Sequence, residues 1–133
     1  YALQYDSLDI KEVSIAGTRG WVSPNECQFD EHDKKIYRRE VMRLERSLDS
    51  IKQDPEILIV MFHYMPVNEK HERNDFIDLL IEYEVDICLY GHLHGKESHE
   101  IRLPEKKWGI EFHLVSADFI NFIPELIYSV PDE

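Results

Sequence analysis

The chain has 133 residues, 43% of them hydrophobic and 32% charged, which is enough for one folded domain with a core of its own. Its net charge of −12 argues against a broad nucleic-acid surface, because such surfaces rely on clustered lysine and arginine. No apolar run approaches the roughly 18 residues of a membrane span, and the first residues lack the pattern of a signal peptide. We therefore expect a cytoplasmic protein without a membrane span, and its two cysteines are too few for a disulfide framework.

The first predicted elements are a strand and a long helix. The segment EVSIAGTRGW, residues 12–21, alternates and then contains two glycines, which predicts a strand that runs into a glycine-rich turn. From about residue 34 the apolar residues recur every three or four positions, which predicts an amphipathic helix that ends before Pro55. Its apolar stripe consists of Tyr37, Val41, Leu44, Leu48 and Ile51.

A strand, a helix and a second strand follow. The continuous apolar runs EILIVMF (56–62) and VDICLY (85–90) predict strands buried on both faces, and Cys88 reads as a small buried hydrophobe in the second. The apolar positions Phe76, Leu79, Leu80 and Tyr83 predict a helix between them. A connection of this length makes the two strands parallel and the crossover right-handed. Their carboxyl ends then meet at the edge of the sheet where ligands bind in α/β proteins.

The last third of the chain has a different pattern. It alternates around a turn from Pro104 to Gly109, which predicts an antiparallel hairpin of His99–Leu103 with Ile110–Ser116. The tail INFIPELIYSVPDE is apolar enough to pack, although it has two prolines and little periodicity.

Histidines follow both predicted parallel strands. His63 comes directly after the first, and His92 and His94 follow the second between Gly91 and Gly95, which spare the imidazoles crowding. A single histidine in such a place is usually a satisfied polar residue. The shared sheet edge favours a metal site of three ligands with a position open for water. Imidazole suits zinc, iron, manganese, nickel or cobalt, so the histidine ligands do not identify the metal.

The motifs MFHYMP and DICLYGHLHG resemble the two C-terminal motifs of the calcineurin-like metallophosphoesterases, and SIAGTRGW with KIYRREVMRLERSL is similar to a bacterial branch of predicted phosphohydrolases. The resemblance implies the C-terminal half of a four-layer α/β/β/α sandwich, with a parallel βαβ unit and an antiparallel hairpin. It implies two divalent metal ions, one bound by His63 and His92 and the other by His94. It also implies hydrolysis of a phosphate-ester substrate through a metal-bound hydroxide that attacks phosphorus.

Three motifs that the family carries earlier in its sequence are missing here: D-x-H, G-D-x-x-D and G-N-H-D or G-N-H-E. The letters of Asp30-Glu31-His32 match the first, but they follow no buried strand, and we interpret them as a chance match. We therefore expect residues 1–133 to be a partial domain that lacks the N-terminal metal-binding motifs. It would be inactive alone and would need a missing N-terminal half or a complementing chain.

Other polar residues are open to two readings. Arg19 could position a phosphate through its forked donors, although a salt bridge is the commoner use of such a residue. Asp118 could orient a ligand histidine, although a surface or capping carboxylate is commoner. Tyr64 reads as packing, and the histidines outside the motifs read as structural or solvated: His71, His99 and His113.

Two other functions compete with the enzyme. One is a non-catalytic protein-interaction scaffold of the same fold. The other is a self-contained domain with a mononuclear site of three histidines.

Overall fold

The computed structural model describes Leu3, residues 6–26 and residues 28–130 of the chain. In this part the chain forms six strands and three helices. They are β1 (Ser7–Ile10), β2 (Val13–Thr18), α1 (Glu31–Asp49), β3 (Ile57–Phe62), α2 (Asp75–Glu82), β4 (Ile87–Tyr90), α3 (Lys96–Glu100), β5 (Lys106–Lys107) and β6 (Ile110–Leu114).

The six strands form one mixed sheet in the order β1-β2-β3-β4-β6-β5. The four inner strands β2, β3, β4 and β6 are parallel, and the two edge strands are antiparallel to their neighbours. The predicted α/β class and the parallel β3-α2-β4 unit are confirmed. The four-layer sandwich stays a prediction, because the described residues contain a single sheet.

Helix α1 begins where the sequence offers a cap. The Asp30 carboxylate accepts a hydrogen bond from the Asp33 amide at 2.8 Å, and the Asp33 carboxylate accepts one from the Asp30 amide at 3.1 Å. This reciprocal capping box satisfies amide groups that the first helical turn leaves without partners. Asp30 is thus a helix cap, in agreement with our interpretation of Asp30-Glu31-His32 as a chance match.

Helices α1 and α2 pack on the same face of the sheet. Right-handed crossovers between strands that advance in one direction place every helix on one side. The core between helices and sheet includes Leu44 of α1 and Phe76 of α2, both fully buried, against Val60 and Tyr90. Truncation of such a side chain, for example Leu44→Ala, typically costs about 2–5 kcal/mol.

The opposite face of the sheet is apolar but only partly covered. Val13, Ile59 and Ile87 form a small buried cluster there, against which the tail residues Ile127, Tyr128 and Val130 pack. Other apolar side chains of the sheet stay exposed: Leu8 at 37%, Ile10 at 48% and Met61 at 44%. The prediction that β3 is buried on both faces is therefore wrong for Met61, because the tail residues among those described cover only part of this face.

The predicted hairpin is right in kind and wrong in its first strand. The structure pairs Lys106–Lys107 with β6, and His99 lies in helix α3. Trp108 and Gly109 both have positive φ, of 53° and 76°, so they form a two-residue turn of the type that matches strand twist. That turn starts the pairing at Lys107 and Ile110 and leaves the preceding residues outside the ladder.

The edge strand β1 was not predicted from the sequence. Its apolar alternation consists of Leu8 and Ile10 alone, which is too short a signal.

The two cysteines differ in what the structure describes. Cys88 is a buried free thiol, as expected, while Cys27 lies outside the described residues. Within the ranges that the structure describes, no helix combines the length and the apolar character needed to cross a membrane.

Candidate metal centre

Backbone hydrogen bonds connect the carboxyl ends of three parallel strands. The amides of His63 and Tyr64, after β3, donate to the Arg19 carbonyl, after β2, at 3.1 and 3.0 Å. The Gly91 amide, after β4, donates to the His63 carbonyl at 3.1 Å. The residues that follow β2, β3 and β4 are thereby held side by side at one edge of the sheet, where the sequence predicts a site.

His63 and His92 lie next to each other at this edge. Their ring centroids are 5.2 Å apart. The Tyr64 ring lies 4.4 Å from that of His92 and 5.0 Å from that of His63, so it packs on both imidazoles. The predicted convergence of these histidines is confirmed, and Tyr64, read from the sequence as packing, is the residue that packs on both of them.

His92 sits in a strained turn. Its φ is +67°, in the left-handed region that residues with a side chain rarely adopt. The Leu93 amide donates to the Gly91 carbonyl at 2.8 Å, which closes a three-residue γ-turn around His92. Eight other described residues with a side chain also have a positive φ, so this conformation by itself does not mark a functional site.

The environment of His92 favours the neutral form of its imidazole. Burial lowers the pKa of His92, and the neighbouring His63 and His94 lower it further because a second positive charge nearby is unfavourable. The neutral form retains the lone pair that a metal ion requires. The lowered pKa of His92 is consistent with a role as a metal ligand.

His94 is held by a carboxylate. Its Nδ1 lies 2.9 Å from Oδ1 of Asp118, which follows β6, the fourth parallel strand. An ionised carboxylate accepts hydrogen bonds and does not donate them, so Nδ1 of His94 is the donor. In a neutral imidazole with this donor, the lone pair lies on the other ring nitrogen, Nε2, as in metal-binding histidines with a carboxylate partner.

Asp118 also accepts a hydrogen bond from a backbone amide and lies close to a second histidine. The Gly95 amide donates to its Oδ2 at 2.7 Å, and Nε2 of His99 lies 3.3 Å from the same oxygen. The Gly95 amide above all, with His94 and His99, holds the pKa of Asp118 well below its usual range, against a smaller opposing effect of burial. The contact with a predicted ligand histidine that we considered for Asp118 is therefore present, and His99, whose side chain is 15% exposed, lies beside it.

The three predicted ligands do not surround a single point. In the described part of the chain, His63, His92 and His94 are not among the side chains whose donor atoms all lie within 4.8 Å of one another. His63 and His92 form one pair, whereas His94 is directed to Asp118. This division is what two separate metal positions would require.

Arg19 forms a salt bridge with a buried glutamate. Its Nε lies 3.5 Å from Oε1 of Glu40, whose side chain is only 1% exposed, and its guanidinium lies 4.9 Å from the centre of the Trp21 ring. The salt bridge that we considered commoner for Arg19 is therefore present. Its side chain is still 43% exposed, so its role towards phosphate stays a prediction.

The glycines around the histidines have open space beyond their chain neighbours. A Cβ at Gly91 would meet only the His63 carbonyl oxygen, at the ordinary distance of 3.7 Å, and one at Gly95 would meet nothing within 4 Å. These distances leave out the chain neighbours His92 and His94, so the expectation that the two glycines spare them crowding stays a prediction. Gly95 is suited to its backbone, which has a φ of +86°.

A cavity of about 250 Å³ opens beside His92. Aromatic and apolar side chains, including Trp21, Tyr64 and Leu93, form much of its wall. The Trp21 and Tyr64 rings meet edge to face at 5.3 Å. The cavity also has two acidic residues, Glu26 and Glu69. Its mixed apolar and polar lining resembles that of a small-molecule site, and its volume is below the roughly 300–1,000 Å³ usual for such sites.

Comparison with known proteins identifies no relative. No family model, no curated protein and no solved structure matches the chain.

Proposed function

We propose that this chain supplies the histidine ligands of a dinuclear metal centre in a metal-dependent phosphoesterase. One observation carries the proposal: the carboxyl ends of parallel strands bring His63 and His92 to within 5.2 Å, while His94 is oriented separately by Asp118. The resemblance of MFHYMP and DICLYGHLHG to metallophosphoesterase motifs supports it.

The donors fit divalent ions of the first transition row. His63 and His92 would hold one ion and His94 the other, and imidazole suits Mn, Fe, Zn, Ni or Co. Such ions stabilise the negative charge that develops at phosphorus and activate the attacking nucleophile. Asp118 would keep Nε2 of His94 directed to its ion. The cavity beside His92 would receive the organic part of the phosphate-ester substrate, and the exposed part of Arg19 would contact its phosphate.

The remaining ligands would come from a missing N-terminal half or from a complementing chain. The partly covered apolar face of the sheet supports this, because exposed patches of this kind often mark contacts with another layer or chain. The chain alone is then expected to be inactive.

A non-catalytic interaction scaffold is the second candidate, and the same apolar face favours it. A scaffold needs the exposed Leu8, Ile10 and Met61 but has no use for histidines held in a strained turn and by a carboxylate. The two candidate functions therefore differ in whether the function requires the histidine side chains.

The deciding experiment measures hydrolysis of an aryl phosphate with added Mn²⁺ or Zn²⁺. It compares the chain alone with the chain extended by the segment encoded before it. We expect no turnover by the chain alone and turnover by the extended protein that is lost in His92→Ala and His63→Ala. His32→Ala is the matched control, since His32 is an exposed imidazole outside the centre.

Each outcome has a distinct meaning. No hydrolysis by the extended protein, with the histidine variants bound to partners as well as the wild type, would support the scaffold and refute the enzyme. Hydrolysis by the chain alone would support an enzyme and contradict the need for further ligands.

A further inference from the structure

A second group of possible metal ligands lies on strand β6. Its residues alternate between the two faces of the sheet, so Ile110, Phe112 and Leu114 enter the core below the helices. Glu111 and His113 point to the opposite face, with side chains 32% and 19% exposed. Two ligating side chains are therefore fixed on one face of a rigid strand.

A third ligating side chain comes from the start of the neighbouring edge strand. The Phe112 amide donates to the Glu105 carbonyl at 2.7 Å, which fixes Glu105 beside β6. One carboxylate oxygen of Glu105, one of Glu111 and one imidazole nitrogen of His113 all lie within 4.8 Å of one another. Among the residues that the structure describes, these three form the group of histidine, cysteine and acidic side chains that is close enough to hold one ion.

Lys106 lies directly opposite Glu111 in the antiparallel β5–β6 pair, so the group has one cationic residue as its cross-strand neighbour. His113 Nε2 lies 3.4 Å from Oε2 of Glu111, and within residues 6–26 and 28–130 neither glutamate forms an ion pair with lysine or arginine. Lys107, which is near in sequence, lies over the Trp108 ring at 4.7 Å. Two carboxylates held this close repel each other, and a bound cation would offset that repulsion.

Space is available next to these donors. A cavity of about 210 Å³ is lined by Glu105 and His113, and its wall also includes Arg102 and, from the tail, Glu125. Three protein donors leave coordination positions open for water or a further ligand, and the cavity provides the room for them.

We propose that Glu105, Glu111 and His113 form a binding site for a divalent transition-metal ion, separate from the histidine centre. One imidazole nitrogen and two carboxylate oxygens are a donor set that Zn²⁺ accepts, at three ligands with an open position. The ion would tie the two-residue edge strand β5 to β6. This site depends neither on the phosphoesterase proposal nor on a missing half of the domain.

The experiment is a Zn²⁺ titration of the chelator-treated chain, with the histidine centre removed by the triple substitution His63→Ala, His92→Ala and His94→Ala. We expect one Zn²⁺ per chain to remain bound. Adding Glu111→Gln or His113→Gln should lower the affinity by at least about tenfold, since loss of even an outer partner of a metal ligand costs roughly 10–100-fold. Glu105→Gln should act in the same direction.

Glu56→Gln and His32→Gln in the same background are the matched controls, because both side chains are exposed and lie outside this group. Circular dichroism and thermal unfolding establish that each variant is folded. If the triple variant does not fold, His113→Gln in the otherwise unchanged chain should lower the number of bound Zn²⁺ ions by one. The proposal is overturned if the triple variant binds no Zn²⁺, or if Glu111→Gln and His113→Gln bind it as the controls do.

Discussion

The Asp118 carboxylate holds Nδ1 of His94 at 2.9 Å, across 24 positions of sequence. This contact joins the segment after β4 to the segment after β6, two parallel neighbours in the sheet. It selects the tautomer of His94 and directs Nε2 away from Asp118. A carboxylate that also binds the Gly95 amide thus orients the second histidine of the G-H-x-H motif.

Replacement of Asp118 by asparagine tests this contact. Asp118→Asn is expected to weaken metal binding at the histidine centre by roughly 10–100-fold, because the ligand loses its orienting partner. The measurement is Zn²⁺ affinity in a His113→Gln background, so that the group on β6 does not contribute. Asp54→Asn, at an exposed position, is the control. Equal affinity for Asp118→Asn and the control would show that Asp118 does not position His94.

The strained turn at His92 makes a prediction about stability. A left-handed backbone costs a residue with a Cβ roughly 1–2 kcal/mol, from which glycine's greater loss of chain entropy subtracts about half. His92→Gly should therefore unfold with a free energy about 0.5–1 kcal/mol higher than that of His92→Ala. Urea denaturation of the two variants measures the difference. An alanine variant as stable as the glycine variant would mean that the turn relaxes.

Gly17 and Gly91 form a matched pair for close packing. A Cβ at Gly17 would lie 2.6 Å from the Met61 carbonyl oxygen, which is backbone of the adjacent strand and cannot move freely. Gly17→Ala should destabilise the protein by about 1–3 kcal/mol or more. Gly91→Ala, whose Cβ would have 3.7 Å to its nearest neighbour, should have a much smaller effect. Similar losses for the two variants, measured by denaturant unfolding, would contradict this reading of Gly17.

Glu26 gives the fold a dependence on pH. Burial and, next, the charge of Glu69 raise the pKa of Glu26 above its ordinary value of 4.5. A group whose pKa is raised on folding contributes stability below its unfolded pKa, and this contribution is lost as the pH rises through the folded pKa.

Glu26→Gln should therefore be more stable than the wild type at pH 7, with the advantage growing as the pH rises above 4.5. Thermal unfolding at several pH values measures it, with Glu56→Gln as a control at an exposed position. An advantage that shrinks with rising pH has the wrong sign and would refute the assignment.

The two parallel strands and the convergence of His63 and His92 at their ends could be predicted from the sequence. The apolar runs around Val60 and Cys88 predict two buried strands, and the stretch between them is long enough for a helical crossover. His63 and His92 then reach the same edge because each follows a strand directly. This reasoning uses only short-range periodicity and the connection between neighbouring strands.

The hairpin shows where such reasoning ends. Alternation over His99–Leu103 resembled a strand, but the two-residue turn at Trp108 and Gly109 sets the pairing, and residues 96–100 form a helical turn instead. A segment of five residues carries too little periodicity to separate the two states.

The sequence by itself determined the α/β class, the parallel unit and the position of His63, His92 and His94 at its carboxyl edge, because these follow from local pattern and chain connectivity. Only the tertiary structure decided that Asp118 holds His94, and that Glu105 meets Glu111 and His113. These contacts join residues from different strands and loops. They depend on strand order, on register and on loop conformation, none of which local periodicity records.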